Sequence, residues 1–143
     1  MKKTLLVPFD GSESSKQAVT FALSLAKEED RMILINVQKP QYEGLEMFGN
    51  VSREKLDSYY LEEGKKVLDA AKDCLKDAQI ELEEIVRIGL PAIEITKVAK
   101  DFSVHSIYMG SKGMSPVVNN ALGSVTYSVI HLATCPVTIV PYN

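Results

Sequence analysis

Five short apolar runs are spread along the chain, and every interval between them contains a segment of helical period. The runs are "TLLVPF" (4–9), "RMILINV" (31–37), "IELEEIVRI" (80–88), "SIYM" (106–109) and "PVTIV" (136–140). Strands joined through helices lie parallel, because a parallel connection needs a crossover that a hairpin cannot supply. The alternation therefore predicts an α/β fold, one doubly wound parallel sheet of five strands with helices on both faces. At 143 residues the chain is expected to form one domain, 1–143.

The intervening segments carry recognisable helix signals. Ser12 offers an N-cap, and Ala18, Ala22 and Leu25 recur at helical spacing through about residue 28. From Ser52 to about Ala78, Leu56, Tyr60, Val67, Ala71, Leu75 and Ala78 share one face, with Gly64 interrupting the pattern. Pro91 suits a helix start, followed by the stripe Ala92, Ile95, Ala99 and Phe102. Val125, Val129 and Leu132 mark the last helix. "IELEEIVRI" alternates imperfectly and is expected at a sheet edge, and residues 38–50 read as a long loop.

Charge excludes some functions. The net charge of −3 gives no basic footprint for nucleic acid, and no apolar run approaches membrane-spanning length. The basic start "MKK" leads into an apolar run that stops at Asp10, too short for a secretory signal, so a cytoplasmic protein is expected. Cys74 and Cys135 show no metal-ligand spacing and are expected to be reduced, mostly buried thiols. All 19 carboxylates lie between Asp10 and Asp101, whereas the last 42 residues hold one lysine, Lys112, and both histidines. Burial of the C-terminal part explains this as well as an anion site would.

The stretch "MGSKGMSPVVNNALGSV" (109–125) places three of the eight glycines within 14 residues, at Gly110, Gly113 and Gly123. Glycine lets a ligand approach backbone N–H groups with no Cβ in the way. A helix starting near Ser124 would add free N–H groups and the positive end of its dipole, a combination suited to phosphate. Ser124 could cap that helix or bond a phosphate oxygen, and Thr126 in the first turn could reach the same anion. Lys112 could add charge. A structural turn without ligand is the competing reading, since neither GxxxxGK[ST] nor GxGxxG is present. In open parallel sheets ligands lie beyond the carboxyl ends of the strands where strand order reverses. The glycine loop leaves the fourth strand and Asp10 leaves the first, so the two should meet.

The spacing G-x2-G-x9-G-[ST] at Gly110, Gly113, Gly123 and Ser124 resembles the nucleotide-binding motif of the universal stress protein family. "LLVPFDGSESSKQAV" is similar to that family's first strand and turn, "GLPAIEITKVAK" to its Gly-x-Pro segment, and "GSVTYSVIHLATCPVTIV" to its closing helix and strand. The resemblance implies strand order 3-2-1-4-5 and ATP, with Mg or Mn, held between strands one and four. It implies that Pro8, Phe9 and Asp10 line the adenosine part and that Val37 contacts adenine. Met109, Gly110, Lys112, Gly113, Gly123, Ser124, Val125 and Thr126 would then surround ribose and phosphates. It also implies a homodimer paired through the strand at 136–140, bracketed by Pro136 and Pro141, which would cover an apolar edge.

Two positions depart from the family pattern. His105 stands where an acidic residue is common, and the linker "MSPVVNNAL" lacks a basic residue, which leaves AMP, ADP or a cyclic nucleotide as alternative ligands. A dimeric nucleotide-binding or signalling module of the stress response is the expected function. A slow ATPase and a nucleotide-independent dimerisation module are the alternatives. Only Asp10 is placed to serve hydrolysis, and no metal ligand is identified. His105 and His131 are expected to be structural, and Tyr59 and Tyr60 to pack at a rim.

Overall fold

The computed structural model describes residues 2–42, 52–113 and 122–142. Within them the elements alternate as β1 (Thr4–Pro8), α1 (Glu13–Leu25), β2 (Arg31–Gln38), α2 (Arg53–Asp69), α3 (Lys72–Leu75), β3 (Glu81–Ile88), α4 (Pro91–Asp101), β4 (Ser106–Gly110), α5 (Ser124–Leu132) and β5 (Val137–Val140). The five strands form one all-parallel sheet of order β3-β2-β1-β4-β5, as expected. Strand order reverses between β1 and β4, so the connections that leave their carboxyl ends pass to α1 and α5 on opposite faces of the sheet.

Period-two alternation divides the core. Leu5, Val7, Met32 and Leu34 pack with Ala18, Val19 and Ala22 of α1 and Leu68 of α2 on one face. Leu6, Ile33, Ile35 and Ile107 pack with Ile95 and Val98 of α4 and Val129 of α5 on the other. Both faces of β1 are therefore dry, which is why its sequence reads as an unbroken apolar run.

Several boundaries move for identifiable reasons. The first strand ends at Pro8, although Phe9 still donates its N–H to the Ile35 carbonyl at 2.8 Å. Helix α1 stops at Leu25 instead of residue 28, because Ala26 turns extended and its N–H closes on Ala22 and Leu23. Asp30 then holds the connection to β2 by accepting the N–H groups of Lys27 and Lys3 at 2.8 and 3.0 Å. The single helix expected from Ser52 to Ala78 is two helices, and Gly64 is not the break. The break falls at Ala70–Ala71, where N–H groups bond three residues back, to Val67 and Leu68. Gly64 lies buried inside α2, where a Cβ would meet Val86 Cγ1 at 2.3 Å. It is a close-approach residue, and α2 packs on β2 and β3 through it.

Edge strand β3 carries Glu81, Glu83 and Glu84, which protect it against stray pairing. Arg31 of β2 pairs with Glu81 and Glu83 and lies over the Phe102 ring at 5.7 Å. Tyr59 and Tyr60 meet edge to face, and the Tyr60 hydroxyl accepts the Gln41 N–H at 3.0 Å. His131 packs against the Tyr127 ring, and Cys74 and Cys135 are free and half-buried. Burial pushes the Cys135 thiol above its usual range. None of the helices among the described residues is long and apolar enough to cross a membrane.

Candidate functional site

Asp10 lies two residues past β1, at the carboxyl edge of the sheet where order reverses between β1 and β4. Its Oδ1 accepts the Ser12 N–H at 2.9 Å and the Ser12 hydroxyl at 2.5 Å. Ser12 in turn accepts the Ser15 N–H at 3.1 Å and caps α1. Gly11 makes this turn possible with φ of +86°. One carboxylate oxygen thus serves the local turn. The other, Oδ2, faces the glycine loop: a Cβ on Gly113 would lie 3.2 Å from it.

The loop leaves β4 at Gly110, which is wedged against α1. A Cβ there would stand 2.3 Å from Ser14 Oγ and 2.7 Å from the Ser14 carbonyl oxygen. The next residues are fixed by backbone bonds. Ser111 donates to the Val140 carbonyl at 3.1 Å, and its own carbonyl accepts the Gly123 N–H at 2.9 Å. A Cβ on Gly123 would lie 3.4 Å from the Gly113 nitrogen. At Gly110 and Gly113 a hydroxyl, backbone or carboxylate therefore approaches too closely for a comfortable side chain, whereas a Cβ on Gly123 would make only ordinary contact.

Helix α5 begins at this point. Gly123 is its N-cap and contributes no side-chain hydrogen bond, so Ser124 occupies the first helical position and is not the cap. The Ser124 hydroxyl is exposed, whereas Thr126 is buried and donates to the Gly110 carbonyl at 2.9 Å. That bond commits the Thr126 hydroxyl internally, joining α5 to the end of β4. Among the described helices α1, α2, α3 and α4 each carry an acid in the first turn, and α5 carries none. No acid of its own first turn offsets its dipole.

The remaining site residues fall into two groups. Pro8 and Val37, at the ends of β1 and β2, are half-buried, Val37 against the α4–α5 core. Val125 packs partly into the same core. Phe9 and Met109 are 2% and 5% exposed, so their side chains belong to the two cores and only their backbone is left to face a ligand. Lys112 is half-buried, and its N–H donates to Ser14 Oγ at 3.2 Å. The linker residues 114–121 and the loop residues 43–51 lie outside the described residues. Among the described residues, no three His, Cys, Asp or Glu side chains group as metal ligands.

Two residues escaped the sequence reading. Ser14 is 3% exposed between α1 and the glycine loop; extending the Ala18–Ala22 stripe back one turn would have found it. Asn36, also buried, donates from Nδ2 to the Phe9 carbonyl at 2.9 Å, fixing the peptide before Asp10. A lone polar residue inside "MILINV" was the available signal.

Comparison with known proteins agrees with this geometry. The universal stress protein family model matches residues 1–141. The universal stress protein YxiE of Bacillus subtilis is 33% identical, over 98% of this chain and 99% of its own. The solved structure of MJ0577, a universal stress protein of Methanocaldococcus jannaschii, superposes with a TM-score of 0.84 at 30% identity, covering 99% of this chain and 96% of that one. A universal stress protein solved in complex with cAMP superposes with a TM-score of 0.70 at 26% identity, covering 96% of both chains. With the parallel sheet in the expected order and the G-x2-G-x9-G-S glycines gathered at its carboxyl end, the chain belongs to the universal stress protein family.

Proposed function

We propose that this chain binds an adenine nucleotide at the carboxyl ends of β1 and β4, with ATP as the ligand to test first. The observation that carries the reading is the convergence of Gly110, Gly113 and Gly123 beside Asp10 at an α5 N-terminus that lacks both side-chain cap and acid. Bare backbone and a helix N-terminus with no acid in its first turn favour phosphate. The half-buried Val37 and the Pro8 backbone would border the base and ribose, with Asp10 Oδ2 facing the sugar–phosphate junction. The relative crystallised with cAMP supports a nucleotide as the ligand class.

In this reading the protein is a dimeric nucleotide-binding or signalling module of the cytoplasmic stress response. Strand β5 occupies a sheet edge and is only four residues long, with Pro136 and Pro141 at its ends. A second copy pairing along it would satisfy that edge. Light scattering on a sizing column tests the dimer; a monomer at micromolar concentration would refute it.

Titration calorimetry with ATP, ADP, AMP and cAMP, each with and without Mg2+, tests the site. Binding that disappears in Gly113→Val/Gly123→Val while the far-ultraviolet spectrum is kept is the expected result. Equal affinity in that variant would remove the glycine loop as the site. Sustained phosphate release lost on Asp10→Ala, with binding retained, would make the protein an ATPase and not a binding module.

A further inference from the structure

The start of the glycine loop is braced by α1. Ser14, the second residue of that helix, is 3% exposed and 98 positions away from Lys112 in sequence. Its Oγ accepts the Lys112 N–H at 3.2 Å, the first cross-contact made by the loop after Ser111. The same oxygen lies where Gly110 would carry a Cβ, only 2.3 Å from that position. Gly110 and Lys112 therefore both fit against one hydroxyl, on either side of the peptide that turns the chain out of β4.

The geometry points to Ser14 as a positioning residue that sets the loop from Gly110 to Gly113 for phosphate recognition without itself being a ligand contact. This rests on the nucleotide reading of the site. The Lys112 N–H is partly shielded from water and loses a good acceptor if it turns away, so Ser14 keeps this amide turned inward. The next peptide is then free to place Gly113 against Asp10 Oδ2, 3.2 Å from its would-be Cβ. Without the hydroxyl, the Lys112 amide must find water. The loop then has several conformations to lose when phosphate binds.

The test is Ser14→Ala, which removes one hydroxyl and leaves the helix start capped by Ser12. Two readouts separate the positioning role from general destabilisation. In the free protein, hydrogen exchange at the Lys112 amide should speed up about tenfold, with Leu6 and Ile33 in the sheet unchanged. In binding, affinity for ATP and AMP should fall about five- to tenfold while adenosine, which has no phosphate, binds as before.

Unchanged exchange at Lys112 overturns the proposal. So does equal weakening of ATP and adenosine, which would mark a diffuse structural effect. Faster exchange with undiminished ATP affinity overturns it too. Should the unsubstituted protein bind no nucleotide at millimolar ATP, the site reading fails by itself. The Lys112 exchange rate then still decides whether Ser14 holds the loop.

Discussion

Thr126 donates its hydroxyl to the carbonyl of Gly110 at 2.9 Å, so the first turn of α5 is fastened to the last residue of β4. The bond is buried and spans the chain segment that carries the glycine motif. It fixes where the N-terminal dipole of α5 points relative to the end of the sheet. Thr126→Val keeps the shape and removes the donor, leaving a buried carbonyl unpaired. We expect a loss of about 1–3 kcal/mol in chemical denaturation, and weaker nucleotide binding in calorimetry. Thr126→Ser, which keeps the hydroxyl, should recover most of the binding. Valine and serine variants of equal affinity would show that this tie does not set the site.

Gly110 and Gly113 should answer differently to the same added methyl. At Gly110 the methyl would meet Ser14 Oγ at 2.3 Å and Ser14 backbone at 2.7 Å. Helix α1 would have to move, and Gly110→Ala should cost about 1–3 kcal/mol of stability. At Gly113 the nearest atom is Asp10 Oδ2 at 3.2 Å, the end of a side chain that can turn. Gly113→Ala should leave the melting temperature nearly unchanged and still weaken ATP binding, because the methyl fills the space beside the carboxylate. Equal effects of the two variants on melting would contradict the packing.

Much of this site was legible because it depends on local chemistry. Asp10-Gly11-Ser12 announces a turn and a cap, and both form within three residues. The glycine spacing likewise carries its own meaning. What escaped depends on partners distant in sequence: Ser14 with Lys112, Thr126 with Gly110, Asn36 with Phe9. Gly64 was misread for the same reason. Glycine within a helical pattern looks like an interruption until the strand beneath it is known, and here Val86 is that strand residue. Leu68, which is not among the residues of the stripe drawn from Leu56 to Ala78, lies one turn after Gly64 and is buried with it on the face of α2 that meets the sheet.

Asp30 gives the fold an acid-sensitive joint. It is 3% exposed, and the N–H donors of Lys27 and Lys3 favour its charged form. The Lys27 N–H is the larger influence holding its carboxyl below the usual range, against the opposing effect of burial. The unfolded chain therefore takes up a proton at higher pH than the folded one does. The stabilisation is fully present above the ordinary aspartate range, near pH 4, and is lost as pH falls through the lower folded value. Asp30→Asn should lower stability by about 1–3 kcal/mol at pH 7 and flatten the decline below pH 4. Denaturation midpoints measured from pH 3 to pH 7 check this; parallel curves for the two proteins would remove Asp30 from the account.

Gly64→Ala sets helix propensity directly against packing. On an exposed helix the change would stabilise by about 0.8–1 kcal/mol. Here the new methyl would lie 2.3 Å from Val86 Cγ1 and 3.1 Å from Asn36 Oδ1. Valine is stiff at χ1 and sits on a paired strand, so it yields little. Overpacking of this kind costs about 1–3 kcal/mol or more, and a distance so far inside van der Waals contact belongs at the upper end. Packing should win, with a net loss of roughly 1–2 kcal/mol. The displacement also reaches Asn36, whose Nδ2 holds the Phe9 carbonyl, so affinity for ATP should fall together with stability. In a Val86→Ala background the obstructing methyls are gone, and Gly64→Ala should then cost far less or turn stabilising. Urea midpoints for the four proteins of this cycle measure the coupling. A stabilising Gly64→Ala in the unaltered chain would mean that α2 does not approach β3 as closely as the buried glycine requires.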